Sequence, residues 1–205
     1  MAKVTRIKAQ RNKKRVNIYL DGKFAFGLDV DNFLKAGLKV SQELTDKQVG
    51  SLVFENEYRK FLDRVYRLLS FRPRSEKEIG DYLARRKSPA EVAEKIGTQL
   101  KRSGYLDDWK FAHWWVDQRS TFRPRGKIAL RAELRQKGVA KEIIEKAVEK
   151  LDELSLAKKA AKKKLKAYKK LDLQAFREKM IAFLNRRGFS WSTIKPIIDE
   201  LLEKR

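Results

Sequence analysis

The chain has 205 residues, of which 42% are hydrophobic, so it can build packed cores and is not a disordered tail. Charged residues interrupt every apolar stretch well before the roughly 20 residues that a membrane helix needs. No apolar segment near Met1 has the form of an export signal, and the absence of cysteine excludes disulfides and thiolate metal sites. These features predict a soluble, cytoplasmic protein.

The net charge is +23, from 50 Lys and Arg residues against 27 Asp and Glu residues. Such an excess predicts an acidic partner, which can be a nucleic acid, an anionic membrane surface or an acidic protein groove. Charge alone does not choose among the three.

The first thirty residues alternate between apolar and polar types, which predicts strands at residues 3–10, 15–20 and 23–28. Asp21-Gly22 separates the last two, and this pair favours a type I′ hairpin turn. A short helix at residues 30–36, stopped by Gly37, completes the predicted N-terminal β-hairpin unit, residues 1–44.

From Thr45 onward the apolar residues recur at helical spacing. Thr45 and Gln48 form a capping box, which starts a helix that runs to about residue 71 and is ended by Pro73. Ser75 and Ser88 each begin a further capping box, the second with proline as the first helical residue. The predicted helices that follow are 75–87, 89–103 and, capped by Asp107, a helix to about residue 121.

A repeat of about fifty residues is marked by Arg-Pro-Arg, which occurs at residues 72–74 and again 51 residues later at 123–125. Each copy lies between the first and second helices of a three-helix pattern, whose third helix is predicted at 89–103 and 140–153. The last segment overlays at an offset of 50 without the motif, with helices at 155–171, 173–187 and 193–204. There, Pro196 fits the first turn only if Ser192 is the cap.

Small three-helix units bury little surface alone, so stacking makes physical sense. We therefore predict a mainly α protein: tandem three-helix repeats, elongated and solenoid-like, preceded by the β-hairpin unit. The predicted repeats are residues 45–106, which include the long entry helix, 107–153 and 154–205.

Arg72, Arg74, Arg123 and Arg125 lie at the helix breaks, where a guanidinium can reach a carboxylate or phosphate in bidentate fashion. Alternatively, Arg72 and Arg123 bond the exposed carbonyls of helix ends and stabilise the break. Both roles can hold together. Further candidate contacts are Lys127, just beyond the second motif, and Arg85 and Arg86, which either extend the patch or complement a helix C-terminus.

Lysines crowd the start of the third repeat, and residues 154–205 hold 15 basic and 5 acidic residues. One interpretation is a solvated helix face. The other is a polyanion contact, which is favoured because uncompensated like charges at i,i+4 cost stability. Candidate contacts in this segment are Lys162, Lys163, Lys166 and Lys169.

Trp114 and Trp115 lie about 100° apart on one predicted helix, so both cannot face one narrow core stripe. They either pack between repeats or stack on bases. No phosphate loop, nucleophile system or metal-carboxylate cluster has suitable spacing. We therefore expect no enzyme activity, no cofactor and no metal.

Four groups of motifs follow one another along the chain. They are Tyr-Leu-Asp-Gly-Lys-Phe-Ala-Phe-Gly-Leu at 19–28, Arg-Pro-Arg-Ser-Glu-Lys-Glu-Ile at 72–79, Gly-Tyr-Leu-Asp-Asp at 104–108, and Arg-Pro-Arg-Gly at 123–126 followed by Glu133-Leu134 and Lys137-Gly138-Val139. Together they resemble the RecX family, bacterial regulators of the RecA recombinase. Each motif alone is weak, but their order and spacing are specific.

The resemblance implies tandem three-helix repeats that lodge in the groove of the RecA–DNA filament and dampen strand exchange, ATP hydrolysis and coprotease activity. It thereby implies a role in recombination, DNA repair and the SOS response, with RecA and single- or double-stranded DNA as partners. We expect a monomer that has no membrane partner. The alternative is a general nucleic-acid-binding protein without RecA specificity, to which the lysine-rich segment points.

Overall fold

The computed structural model describes residues 1–11 and 13–203, which form two compact units. Unit 1 comprises Met1–Arg72 and Gly80–Ser103, and unit 2 comprises Pro73–Ile79 and Gly104–Arg205. The predicted fold class is confirmed, because three-helix repeats follow a small antiparallel sheet.

The sheet of unit 1 has four antiparallel strands in the order β3-β2-β1-β4, where β1 is Ala2–Ala9, β2 is Arg15–Leu20, β3 is Lys23–Asp29 and β4 is Glu43–Leu44. Asp21 and Gly22 have φ values of +47° and +80°, as the predicted turn requires. The strand β4 was not predicted, because two residues are too few to show alternation. Inward side chains of the sheet form a core with Val4, Ile18, Leu28 and Leu44 at its centre.

The helices of unit 1 are α1, Val30–Ala36, α2, Asp46–Leu69, and α4, Ala90–Arg102. The predicted capping box at the start of α2 is present in full, and α1 ends at Gly37 in the left-handed conformation. The helices α2 and α4 pack together. They bury Phe61 and Val65 of α2 and Val92, Ile96 and Leu100 of α4.

The predicted capping box at Ser88 is wrong. Helix α4 begins at Ala90 without a side-chain cap, and Pro89 lies before its first turn. The backbone N–H of Ser88 instead donates to the Leu83 carbonyl, 3.0 Å away. The preceding residue, Lys87, has a left-handed φ of +56°. Ser88 therefore closes the preceding helix rather than opening the next.

Helix α3, Glu76–Arg85, begins in unit 2 and ends in unit 1. The remaining helices all belong to unit 2: α5 (Asp108–Phe122), α6 (Lys127–Gln136), α7 (Lys141–Glu149), α8 (Glu153–Tyr168), α9 (Leu173–Arg186) and α10 (Trp191–Glu203). Two apolar clusters organise them. One joins α5, α6 and α7 around Phe111, Leu130 and Val148, and the other joins α8, α9 and α10 around Phe176 and Ile194.

The expectation that Ser192 caps the last helix is wrong, because α10 begins at Trp191 and Pro196 lies inside it. The Ile194 N–H already donates to the Ser190 carbonyl, 2.9 Å away. Proline has no N–H for the Ser192 carbonyl, but Ser192 and Pro196 are both exposed, so water can serve that carbonyl.

Within the described ranges, no helix combines the length and the apolar character that crossing a bilayer demands.

Candidate interface for an acidic partner

The residue that follows each Arg-Pro-Arg motif bonds to the next repeat. The Ser75 hydroxyl donates to the Lys137 carbonyl at 2.7 Å, and the Gly126 N–H donates to the Arg187 carbonyl at 2.9 Å. Lys137 and Arg187 occupy matching turns, which end α6 and α9. Within unit 2, both motifs therefore lead into a junction between successive repeats.

The first residue of a later helix supplies a carboxylate that caps each helix starting at these junctions. Asp108 accepts from the Glu76 N–H at 2.9 Å, and Glu153 accepts from the Lys127 N–H at 2.8 Å. Asp108 and Glu153 are the first residues of α5 and α8. Each carboxylate satisfies an otherwise unbonded N–H and lies at the positive end of a helix dipole.

Gly126 is needed at the second junction because the backbones approach closely there. A Cβ atom at Gly126 would overlap the Gly188 carbonyl, and one at Gly188 would overlap Ala129. The first junction has Ser75, fully buried, at the position that matches Gly126. There the side chain, not the backbone N–H, makes the bond.

Glu133 on α6 contacts three polar side chains near the second motif. Its carboxylate accepts from the Trp115 indole N–H at 2.7 Å and from Arg119 Nε at 2.8 Å. Arg125 Nε lies 2.9 Å from Glu133 Oε1, but its N–H is not directed at that oxygen, so this contact is an ion pair without a hydrogen bond. Arg125 is thus held by its own repeat.

Arg187 brings a third guanidinium to the same loop. Its Nη1 donates to the Pro124 carbonyl at 3.3 Å, and the guanidinium lies over the Phe183 ring. Partial burial, together with the positive charges of Arg125 and Arg123, lowers the pKa of Arg187 from its ordinary value. Burial is the largest cause of this shift, and the repulsion reflects three guanidinium groups that lie close together at the loop.

Helix α8 has most of its lysines on the face opposite its buried alanines, whereas Lys164 is half-buried over the Phe183 ring. Lys159 and Lys163 reach the end of α5, where their ammonium groups donate to the carbonyls of Ser120 at 3.2 Å and Phe122 at 3.1 Å. This places them beside exposed Arg123. We call the set of exposed cations on this side the α8 basic face: Arg123, Lys159, Lys162, Lys163 and Lys166.

Lys162 and Lys166 are exposed, and within the described part of the chain neither pairs with an acid. Lys158, by contrast, is neutralised by Glu200 at 2.7 Å. Lys169, just after the end of α8, is exposed as well. Lys162 and Lys166 therefore retain charge that is available to a partner.

The other predicted contact residues lie elsewhere. Three of them belong to unit 1: Arg72, Arg85 and Arg86. Arg72 is half-buried. Arg85 Nε donates to the Asp81 carbonyl, and the Arg86 guanidinium lies over the Tyr82 ring. In unit 2, Arg74 is half-buried with its Nε enclosed by protein. Lys127 Nζ donates to the Glu149 carbonyl at 3.2 Å, at the end of α7.

Four family models match the chain in order. They describe the RecX N-terminal domain at residues 2–45 and the first, second and third RecX three-helix domains at 62–96, 107–148 and 151–198. The chain belongs to the RecX family of regulatory proteins. The two junctions lie where one RecX three-helix domain meets the next.

Relatives support this membership over nearly the whole chain. "Regulatory protein RecX" of Bacillus licheniformis is 33% identical over 204 residues, which are 98% of this chain and 78% of the relative. The RecX protein of Bacillus pumilus is 32% identical with the same two coverages.

Two solved RecX structures resemble the fold. A crystal structure of regulatory protein RecX is 31% identical, covers 97% of this chain and 100% of its own, and has a TM-score of 0.68. RecX from Lactobacillus salivarius, at 23% identity and a TM-score of 0.61, covers 72% of this chain and 97% of its own and supports the fold alone.

Sequence reasoning missed Glu133, Arg119, Lys159 and Arg187 as site residues. A signal existed for Arg187, because the overlay at an offset of 50 places it on Lys137, which serves the preceding junction. No signal singled out Glu133 as the acid that Arg125 contacts, since their pairing depends on the packing of the loop against α6.

Proposed function

We propose that the chain binds the RecA–DNA filament and inhibits its recombinase, ATPase and coprotease activities, and so modulates recombination and the SOS response. Membership of the RecX family carries this proposal, because the resemblance supplies RecA as the partner. The α8 basic face supports it with unneutralised cations that suit a filament whose surface offers phosphates and carboxylates. The protein would act in the cytoplasm as a binding protein, without chemistry of its own.

Among the candidate contacts, the exposed residues are best suited to meet the filament: Arg123, Lys162, Lys163, Lys166 and Lys169 in unit 2, and Arg85 and Arg86 in unit 1. Arg125 is already paired with Glu133, and Lys127 is half-buried. For Arg74 and Arg72, which are half-buried, we propose a smaller share of the contact.

The proposal is tested by RecA ATP hydrolysis on single-stranded DNA. The chain, added below the RecA concentration, should suppress hydrolysis even when protein-free DNA is present in large excess. Inhibition that disappears as free DNA is added would show that the chain acts by sequestering DNA, and would refute a filament-directed function.

The second candidate is general binding to single- or double-stranded nucleic acid without RecA specificity. The net charge of +23 and the exposed Lys162 and Lys166 favour it. It predicts binding to naked DNA whose affinity falls steeply with salt, because phosphate contacts release counterions. No binding to DNA at low salt would exclude it.

A further inference from the structure

A small groove in unit 2 runs beside the C-terminal half of α5. It encloses about 200 Å³ and is lined by Trp114, Trp115, Gln118, Arg119, Phe122 and Arg123. Positions three or four apart share one helix face, so α5 supplies the whole lining except Arg123, which follows its last residue. Its volume is below the usual 300–1,000 Å³ of a small-molecule pocket and suits one flat ring system.

The inner wall of this groove is already bonded. The Trp115 indole N–H donates to Glu133, and the Arg119 guanidinium lies 4.5 Å from the centre of the Trp115 ring. Glu133 also holds Arg119. These contacts keep an indole and a guanidinium in fixed positions before any ligand arrives.

The outer wall of the groove has groups that are not engaged by other described residues. Phe122 is 64% exposed, and no aromatic ring among the described residues contacts it. Trp114 packs against Phe111 and Trp115, but no described residue accepts a hydrogen bond from its indole N–H. An exposed phenyl ring and an indole N–H without an acceptor together offer stacking and one donor.

Charge decides which ligand fits an aromatic groove of this kind. Arg123 lies at its edge, and Lys163 and Lys159 are fixed beside it by the Phe122 and Ser120 carbonyls. An apolar peptide would gain nothing from these cations, whereas a polyanion with unpaired aromatic bases matches both features. In duplex DNA the bases are stacked on one another, so the match is with a single strand.

We propose that this groove binds a nucleobase of single-stranded DNA by stacking, with the neighbouring phosphates on Arg123 and Lys163. This site adds detail to the proposed function. It rests on that function in one respect: the filament is where the chain would meet single-stranded DNA.

The chain contains its own matched control. Phe71 precedes the first Arg-Pro-Arg motif as Phe122 precedes the second, and it is 75% exposed. The positions that match Trp114 and Trp115 at the offset of 51 are Asp63 and Arg64. The first repeat therefore has the exposed phenyl ring without the indoles, and Phe71→Ala tests exposure alone.

The experiment measures binding of the full chain, without RecA, to a short oligothymidylate and to an abasic oligonucleotide of equal length and charge. Phe122→Ala should weaken oligothymidylate binding roughly 5- to 150-fold, the usual effect of losing one stacked base. Its affinity for the abasic strand should not change, and Phe71→Ala should change neither. Trp114→Phe should reduce the fluorescence quenching that oligothymidylate causes, and Trp115 accounts for the remainder.

The proposal would be overturned if Phe122→Ala bound each of the two strands as tightly as the unsubstituted chain does. It would also be overturned if Phe122→Ala bound both strands more weakly by the same factor, or if quenching in Trp114→Phe were undiminished. Phe122→Leu, which keeps an apolar side chain, should show the same selective loss if Phe122→Ala fails to fold. Phe122→Ala that binds DNA normally but loses affinity for DNA-free RecA would assign the groove to protein. Inhibition of the RecA ATPase is measured separately and tests the proposed function. If inhibition persists but the preference for bases is absent, only the groove proposal fails. If the preference for bases is present but inhibition is absent, only the proposed function fails.

Discussion

Replacing Glu133 with glutamine removes the one carboxylate that Trp115, Arg119 and Arg125 share. The Glu133 side chain is only 18% exposed, so water replaces the lost interactions poorly. Hydrogen bonds to a charged group contribute about 1.5–3 kcal/mol each and neutral ones about 0.5–1.5 kcal/mol, so the bonds from Trp115 and Arg119 together should lose about 2 kcal/mol.

The Arg125 ion pair adds less, because that arginine is 33% exposed and water screens it. A surface-like value of about 0.2–1 kcal/mol applies. We therefore expect Glu133→Gln to lower the free energy of unfolding of unit 2 by about 2–3 kcal/mol. With a urea dependence near 2 kcal/mol per M, the unfolding midpoint should fall by about 1–1.5 M.

Tryptophan fluorescence during urea unfolding measures this change selectively. All four tryptophans, Trp109, Trp114, Trp115 and Trp191, belong to unit 2, so their emission reports on that unit alone. The matched control is Glu145→Gln, which breaks an exposed pair with Arg131 and should shift the midpoint only slightly. Equal midpoints for Glu133→Gln and Glu145→Gln would refute the role of Glu133 in holding the second motif.

Gly126→Ala should destabilise unit 2 by about 1–3 kcal/mol in the same fluorescence assay, because the added Cβ overlaps the Gly188 carbonyl. Gly50 in α2 has open space around it, so Gly50→Ala should instead stabilise unit 1 by about 0.5–1 kcal/mol, measured by circular dichroism. Asp172→Ala removes the cap on the Ala175 N–H and should cost about 1 kcal/mol, an expectation contradicted by an unchanged midpoint. Lys162→Gln with Lys166→Gln should reduce the slope of log affinity for DNA against log salt by about 2, and an unchanged slope would mean that neither lysine contacts phosphate.

Much of the fold could be predicted from the sequence because its signals are local. The Thr45 capping box, the Asp21-Gly22 turn and the stop at Gly37 each depend on residues a few positions apart, and all three are present. The errors arose where a nearby residue competed. Lys87 adopted the left-handed conformation expected of glycine and drew Ser88 into the end of α3.

The candidate site was less predictable because it depends on packing between distant segments. Periodicity identified the arginines of the second motif but could not show that Arg125 meets Glu133 while Arg123 stays exposed. Likewise, nothing in the lysine-rich run indicates that Lys163 reaches the Phe122 carbonyl, 41 positions away. The proximity of α8 to the end of α5 creates the basic face, and only the tertiary structure provides it.

The most direct test of the proposed filament contact is RecA ATPase inhibition by a charge-reversed α8 basic face. The triple substitution Arg123→Glu, Lys162→Glu and Lys166→Glu changes exposed side chains, so the urea midpoint of unit 2 should stay near that of the unsubstituted chain. Inhibition of RecA should be lost in the triple variant and retained in Lys158→Gln, whose lysine is already paired with Glu200. Full inhibition by a folded triple variant would contradict the assignment of this face to the filament.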